Sequence, residues 1–530
     1  MQSYDVIVIG GGLLGCFAAR ALTRYDLRVA LLEKRGDLCT GISRANSAIV
    51  YSGCDTRPGT LKSSMCVRAA QNFPALCGEL GVRYSACGSV MVCFGPRGAA
   101  ILRKKLEQGA ASGVRGMKLL TRGEVLELEP NIAGNVHSGL FVPDTGTVMP
   151  WEMCLAAAES AVKNGAEIIL HTEVTALARE PGARGGRLGA ARGPSGESSE
   201  PGRNGGNVAQ TTGGYIVRTA GGDFHTRAVV NCAGLFADRV HEMAYEPQVR
   251  IVPTAGDYFV LDTKAAGHIR RVIFHEPEEK GKGLTLVPTV DGNILVGATE
   301  RLFPAHADHQ NEAESFATAR EGLERLRALV SEVVPTLPME HVINSFGAVR
   351  PNPYLLRRDP GGAWVTDDRS ISEFCIIEPG GEPFISFIGV KTPGLTCSCE
   401  LGEYAAKKIA ARLGAARNEQ FDPCRTPAPR LCDLPPAERN ALIRDNPDYG
   451  VVACRCRGTS EGEIIDAIRR FPGAVTLDGV KRRTGADTGR CQGGYCTQRI
   501  IEILARELGC GPGDITKDGE GSNVLLRGTK

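Results

Sequence analysis

A chain of 530 residues exceeds the roughly 250–300 residues that one hydrophobic core supports, so two or three folded units are expected. Lys+Arg 62 against Asp+Glu 60 gives a formal charge of +2, with charged residues at 23% and hydrophobic ones at 42%, which fits an ordinary soluble protein and excludes a nucleic-acid binder held by bulk charge. No run approaches the ~20 apolar residues of a membrane span, and MQSYDVIVIGGG enters an apolar strand without a basic leader, so a cytoplasmic chain with no membrane span of its own is expected.

The first element is the β-branched run YDVIVI (4–9), followed by Gly10-Gly11-Gly12-Leu13-Leu14-Gly15 and an Ala-rich helical segment. This is G-x-G-x-x-G between a strand and a helix. Gly10 permits the tight turn, Gly12 lets backbone N–H groups approach a pyrophosphate, and Gly15 lets helix and strand pack closely. A second strand, RVALLEK, ends in Glu33 and Lys34, the acid 18 residues after Gly15, where it can accept hydrogen bonds from a ribose diol. An acid there argues against a 2′-phosphorylated cofactor.

The motif alone does not choose between NAD and FAD; three later segments bear on that choice. GISRANSAIVYSG (41–53) is a small-residue loop with Ser43, Asn46 and Ser47; AVVNCAGLFAD (228–238) is a strand ending at Ala233 and Gly234; FISFIGVKTPGLT (384–396) is a strand and turn with Gly389, Gly394, Leu395 and Thr396. Small residues let backbone approach a large flat ligand, and the last turn could aim a helix N-terminus at a ring carbonyl. Val174, in the strand IILHTEVTALA (168–178), completes the expected cofactor contacts.

Residues 179–214 are dense in Gly, Arg and Ser with almost no apolar content, and a disordered hairpin insertion is expected there between the strands 168–178 and 215–220. AGDYFVLDT (255–263) and GNILVGAT (292–299) also read as strands. The Pro-rich and then helical stretch 421–450 reads as a linker.

Nineteen Cys, an odd number scattered through apolar segments, fit reduced buried thiols rather than a disulfide framework. Four stand apart: Cys454 and Cys456 as C-x-C, then Cys491 and Cys496 as C-x4-C, with the apolar spacing of EGEIIDAIRR between the pairs predicting a helix. Two pairs of thiolates suit a [2Fe–2S] cluster, in which each iron takes two sulfurs, and basic neighbours such as Arg455, Arg457 and Arg490 would offset its charge. A four-cysteine zinc site uses the same ligands and stays open on spacing alone.

The blocks SRANSAIVYSG, RPGTLKSSMCVRAA, PDTGTVMPWEM, VNCAGLFAD, LVPTVDGNILVGAT, SFGAVRP and GVKTPGLT, in that order, resemble the flavin-dependent oxidoreductases that include D-amino-acid oxidase, glycerol-3-phosphate dehydrogenase and L-2-hydroxyglutarate oxidase. NPDYGVVACRC and TLDGVKRRTGADTGRCQGGYC resemble the [2Fe–2S] domain related to bacterioferritin-associated ferredoxin. The resemblance implies an α/β fold: a Rossmann-like FAD-binding domain (about 1–80, 145–245 and 340–415), a sheet-based substrate cap (about 81–144 and 250–335), a linker (416–450) and a small C-terminal cluster domain (451–530). FAD and a [2Fe–2S] cluster are the implied cofactors.

The same resemblance implies a dehydrogenase of a small anionic hydroxy compound, sn-glycerol 3-phosphate or L-2-hydroxyglutarate, with hydride passing to flavin and electrons passing on through the cluster. The acceptor would be a partner subunit, a second flavoprotein or a quinone-linked protein through which the chain could meet a membrane. An amine, opine or amino-acid dehydrogenase of the same layout is the alternative, and a non-catalytic electron-transfer subunit is another.

Arg350 in SFGAVRP is the expected anion clamp, its guanidinium a planar fork for carboxylate or phosphate. Lys391 in GVKTPGLT would stabilise negative charge near the flavin. Hydroxy-acid members of the family commonly carry His where this chain has Tyr51, and a phenol is a poor base at neutral pH unless cations such as Arg44, Arg350 or Lys391 depress it. Tyr258 and His275 are further candidates in the cap.

Overall fold

The computed structural model describes residues 1–180, 213–276, 283–303 and 317–525. Most of the expected insertion at 179–214 lies outside the described residues; the strands on either side of it, Val174–Arg179 and Tyr215–Thr219, pair antiparallel.

Strand β1 (Gln2–Ile9) is the centre of the first sheet, because its VIVI run carries apolar side chains on both faces and is covered on both. It pairs in parallel with β2 (Val29–Leu32) on one side and with Gly222–Asn231 on the other. The order runs from Val174–Arg179 through Tyr215–Thr219, Gly222–Asn231, β1 and β2 to Glu167–Ile169, with Phe384–Ile388 also joined in parallel to Gly222–Asn231. Helix α1 (Leu13–Leu22) connects β1 to β2 and lies against helix Gly394–Leu413. That approach needs Gly402, where a Cβ would stand 2.7 Å from the Phe17 backbone. The last segment of the chain's first 415 residues is thereby pressed against its first helix, and the cavity between them is fixed by backbone packing.

A second sheet, of ten strands among the described residues, stands beside the first. Its spine is Val249–Leu261 paired antiparallel with Val342–Arg358, in a register that sets Thr254 opposite Arg350 and Tyr258 opposite Phe346. The strands Val342–Arg358 and Trp364–Ser370, expected from the sequence in the dinucleotide-binding part, extend this sheet instead. The reason is pairing: the whole length of 249–261 offers its backbone to 342–358, which no edge of the first sheet does. Helix Arg320–Val333 covers this sheet through Leu326, Leu329, Val330 and Val333.

The C-terminal unit is small and helical. A hairpin, Val452–Cys454 with Thr459–Ser460, leads into helix Glu461–Arg469, begun by a capping box in which Ser460 Oγ accepts from Glu463 N and Glu463 returns the bond to Ser460 N at 2.7 Å. Ile464, Ile465 and Ile468 of this helix pack on Val480, Ile500, Ile503 and Leu504, each full burial contributing about 1.5–3 kcal/mol. The Pro-rich linker before it lies along the first unit, tied by Arg425 to Glu159 at 2.7 Å and by Lys163 to Asp422 at 2.5 Å.

Candidate functional site

A cavity of about 630 Å³ runs between the two sheets, from the start of α1 to the strand bearing Arg350. Its floor is the glycine turn. Gly10 has φ +107°, and a Cβ on Gly15 would stand 1.9 Å from the Gly10 carbonyl oxygen, so Gly15 shapes the turn from behind and does not line the cavity. Gly12 opens α1 with no side-chain cap, and Leu13 N donates to Ser43 Oγ at 3.1 Å. The N-terminus of α1 thus opens on the cavity beside a small-residue loop, where its positive end suits an anionic pyrophosphate.

Glu33 lies at one end with Lys34 and Val174. Its Oε2 accepts from Gly11 N at 2.6 Å and its Oε1 from Arg35 N at 2.9 Å; burial pushes its pKa up, and these backbone bonds oppose the rise. The acid is therefore fixed in orientation against the turn, where a ribose hydroxyl can reach it. Lys34 Nζ stands 3.8 Å from the Phe236 ring centroid. Ser43, Asn46 and Ser47 line one wall, Ala233 and Gly234 another, and Gly394 and Leu395 a third. Gly389 and Thr396 stand behind that last wall. Gly389 has φ +68° and leaves no room for a Cβ, which would meet Pro353 at 2.7 Å, while Thr396 Oγ1 accepts from Tyr51 N at 2.9 Å and ties the 41–53 segment to helix Gly394–Leu413.

Tyr51, Tyr258, Arg350 and Lys391 line the other end together. Tyr258 stacks on Phe346 with centroids 4.9 Å apart, a consequence of the strand register. Both Arg350 Nη atoms donate to the Thr299 carbonyl at 3.3 Å, and a Cβ at Gly256 would sit 2.9 Å from that guanidinium. Gly256, unremarkable in sequence, is what lets Arg350 fold across its neighbouring strand. Burial pushes the Tyr51 phenol well above its ordinary value, with the Tyr258 hydroxyl adding to the rise and Ser47 and Arg350 opposing it. Burial also raises Tyr258, against the pull of Arg350. Neither phenol ionises near neutral pH. Lys391 moves the opposite way: burial and then Lys62 lower its pKa, Glu300 resists, and Arg350 lowers it further. Its Nζ donates to Asn352 Oδ1 at 3.1 Å and to Ser370 Oγ at 3.3 Å. His275 lies away from this wall, its ring 5.7 Å from that of Phe94.

The four spaced cysteines come together in the C-terminal unit as two pairs. Cys456 Sγ is 3.7 Å from Cys491 Sγ on the surface, and Cys454 bonds Cys496 in the interior. The bond from the Cys496 thiol and backbone N–H groups of Asp487, Arg457 and Cys456 lower the pKa of Cys454, and the same bond raises that of Cys496, so the two thiols share a proton that is less readily lost from Cys496. A Cβ at Gly489 would be 2.3 Å from Cys456 Cβ, so the second loop can close on the first only with glycine there. Among the described residues no three His, Cys, Asp or Glu side chains converge on one point as for a single ion. Two thiol pairs, one buried and one exposed, fit a binuclear cluster in which each iron takes two sulfurs. The arginines next to the surface pair end on carboxylates in loops at the ends of second-sheet strands, Arg457 on Asp291 and Arg490 on Asp262, each at 3.1 Å. Sequence spacing carried no signal of those two acids.

Residues 5–408 match the family model for FAD dependent oxidoreductase, and residues 452–506 that for the BFD-like [2Fe-2S] binding domain. The chain is 35% identical to glycerol 3-phosphate dehydrogenase of Caloramator mitchellensis over 99% of both proteins. It is 26% identical to L-2-hydroxyglutarate dehydrogenase of Salmonella houtenae over 80% of this chain and 96% of that one. In structure it is similar to dithionite-reduced L-alpha-glycerophosphate oxidase from Mycoplasma pneumoniae with FAD bound (TM-score 0.65, 21% identity, 81% of this chain and all of that one). It is also similar to the FAD complex of glycerol-3-phosphate dehydrogenase from Bacillus halodurans (TM-score 0.62, 16% identity, 96% and 92%). No helix among the described residues is long and apolar enough to cross a membrane. The cavity, the paired thiols and these matches together make the chain a member of the FAD-dependent oxidoreductase family, of its glycerol-3-phosphate and L-2-hydroxyglutarate dehydrogenase branch, carrying a BFD-like [2Fe–2S] domain.

Proposed function

We propose that the protein oxidises sn-glycerol 3-phosphate at its secondary alcohol, giving a triose phosphate, and passes the electrons to a partner through the cluster. When bound, FAD supplies a two-electron acceptor and the [2Fe–2S] cluster a one-electron relay. The observation that carries the reading is the cationic end of the cavity, where the Arg350 guanidinium lines the wall and the Lys62 ammonium stands close enough to lower the pKa of Lys391 beside it. A phosphomonoester, close to a dianion at neutral pH, matches that charge. The 35% likeness to a glycerol 3-phosphate dehydrogenase along the whole chain, cluster domain included, supports the same substrate ahead of L-2-hydroxyglutarate.

Arg350 binds the anionic group with its planar fork, held ready by the Thr299 carbonyl. Tyr258 and Tyr51, both uncharged, shape the wall around the reacting carbon and keep water out. Burial and the neighbouring Lys62 lower the pKa of Lys391, and we assign its Nζ as the group that, once deprotonated, receives the hydroxyl proton as hydride leaves the carbon. Asn352 and Ser370 keep that nitrogen in place. Electrons leave toward the partner on the side of Cys456, the exposed member of the Cys456–Cys491 pair, a route that its exposure supports.

Anaerobic mixing of the purified flavoprotein with each compound tests the reading. Bleaching of the flavin by sn-glycerol 3-phosphate, with triose phosphate formed, is expected. Bleaching by L-2-hydroxyglutarate alone, or release of ammonia from an amine, would replace it.

A further inference from the structure

The segment from Glu33 to Asn46 forms the wall of the cavity beside the start of α1. On its inner side Cys39 N donates to Gly11 O at 3.0 Å, the Leu38 side chain presses on Gly11, and Thr40, Gly41 and Ile42 line the cavity. Its outer side is held by the cluster domain. Asp37, 2% exposed, has both carboxylate oxygens engaged: Arg482 donates to Oδ2 at 2.7 Å and Arg483 to Oδ1 at 2.8 Å. Those arginines hold its pKa down against the effect of burial. Arg482 also reaches Asp518 Oδ1 at 2.9 Å, and Asp518 Oδ2 takes Arg44 Nη1 at 2.9 Å. The chain of charges Asp37–Arg482–Asp518–Arg44 therefore leaves the wall at one end, crosses the cluster domain and returns at the other, spanning Thr40–Ser43.

Asp37 and Arg44 do not themselves line the cavity. Their partners Arg482 and Arg483 sit on helix Leu477–Thr484, which lies in sequence between Cys456 and Cys491 and packs into the cluster domain's core through Leu477 and Val480. A cluster joining those two loops would fix that helix in place.

We propose that Asp37 is a positioning residue for FAD, and that the cluster domain is a latch on the flavin site, so that FAD is held tightly only when the iron–sulfur domain is loaded. The coupling is reciprocal, as linkage requires: FAD favours the docked, loaded cluster domain by the same factor. This rests on FAD filling the cavity and not on the substrate assigned above, and flavin titration without substrate keeps the two separate.

The test measures the FAD dissociation constant by flavin fluorescence, anaerobically, with iron content and the EPR signal of the reduced cluster followed in parallel. Asp37→Asn is expected to weaken FAD binding about tenfold or more while iron and the EPR signal remain, and stripping iron from the wild-type chain with a chelator to weaken it by a similar factor. Stripping iron from Asp37→Asn should then add little, because both changes open the same latch. FAD affinity within about twofold of wild type in either case, or losses that multiply, would overturn the proposal. Should Asp37→Asn fail to fold, Asp518→Asn tests the more exposed end of the same chain; a fall of about threefold supports the latch, and unchanged affinity refutes it.

Discussion

The FAD cavity and the cluster site both hold a bulky charged group, with opposite materials. Around the dinucleotide the chain offers backbone amides, glycines and one oriented acid, gathered from segments between Ile9 and Ser398 by two sheets. Around the cluster it offers four side-chain sulfurs from two short loops of one small domain, with glycine used only to let the loops close. The first site depends on long strand pairing, so its geometry persists without ligand. The second has a core built from little more than three short helices, and its ligands are its largest cross-link. A change of one ligand should then empty the second site outright, whereas single changes at the first should be graded.

The largest effect is expected at the exposed sulfur pair. Cys456→Ser leaves one iron short of a thiolate, and the purified variant should lose iron and the EPR signal of the reduced cluster altogether. Substrate should still bleach its flavin anaerobically, unless the FAD latch is so weakened that flavin must be resupplied. A variant that keeps its iron would move the cluster away from these cysteines.

Next in size is Lys391. A base must be neutral to act, so kcat/KM should rise with pH through the lowered pKa of Lys391 and level off above it. Lys391→Met should lower the plateau by about 10²–10⁴ and remove that rising limb. Retention of the limb would assign the proton to another group.

Arg350→Ala should follow, with kcat/KM for sn-glycerol 3-phosphate reduced about a hundredfold, mostly through KM, because a guanidinium bound to the anion in ground and transition states alike acts on both. Gly256→Ala should give a smaller fall in the same direction, since its methyl group would meet the Thr299 carbonyl oxygen at 2.6 Å and the Arg350 guanidinium at 2.9 Å, displacing the clamp without removing it. If Gly256→Ala were silent, the position of Arg350 over Thr299 would not be the one that binds substrate.

How much of this the sequence displayed depends on how local each feature is. The turn Gly10–Gly15, Glu33 and the four spaced cysteines are each read within one or two elements; Gly10, Gly12 and Glu33 line one cavity, and Cys456 lies beside Cys491. Arg350, Tyr258 and Tyr51 meet only because 249–261 pairs with 342–358 in one register and because Thr396 holds Tyr51 from a distant helix. No spacing encodes that, and it is why the long strand 342–358 looked like part of the wrong domain. Asp37, Asp262 and Asp291 were invisible for a third reason. An acid in a polar loop has the pattern of a solvated surface, and the docked cluster domain supplies the arginines that anchor Asp37 and Asp262 and one of those on Asp291, which Arg83 also holds at 2.7 Å.

The smallest effect is expected at Tyr51. A phenol raised this far by burial stays protonated throughout the working range, and Arg350 opposes the rise without reversing it. Its hydroxyl can then neither take the substrate proton nor contribute a limb to the pH profile. Tyr51→Phe keeps the ring and its contact with Phe274, whose centroid is 6.1 Å away, and removes only an uncharged donor near Ser47. The variant should therefore retain kcat/KM within about threefold, the worth of one neutral hydrogen bond, and an unchanged pH dependence. A loss of two orders of magnitude, or a shifted pH limb, would make Tyr51 rather than Lys391 the group that handles the proton. Retained activity would instead show that this wall needs only the shape of an aromatic ring at the position.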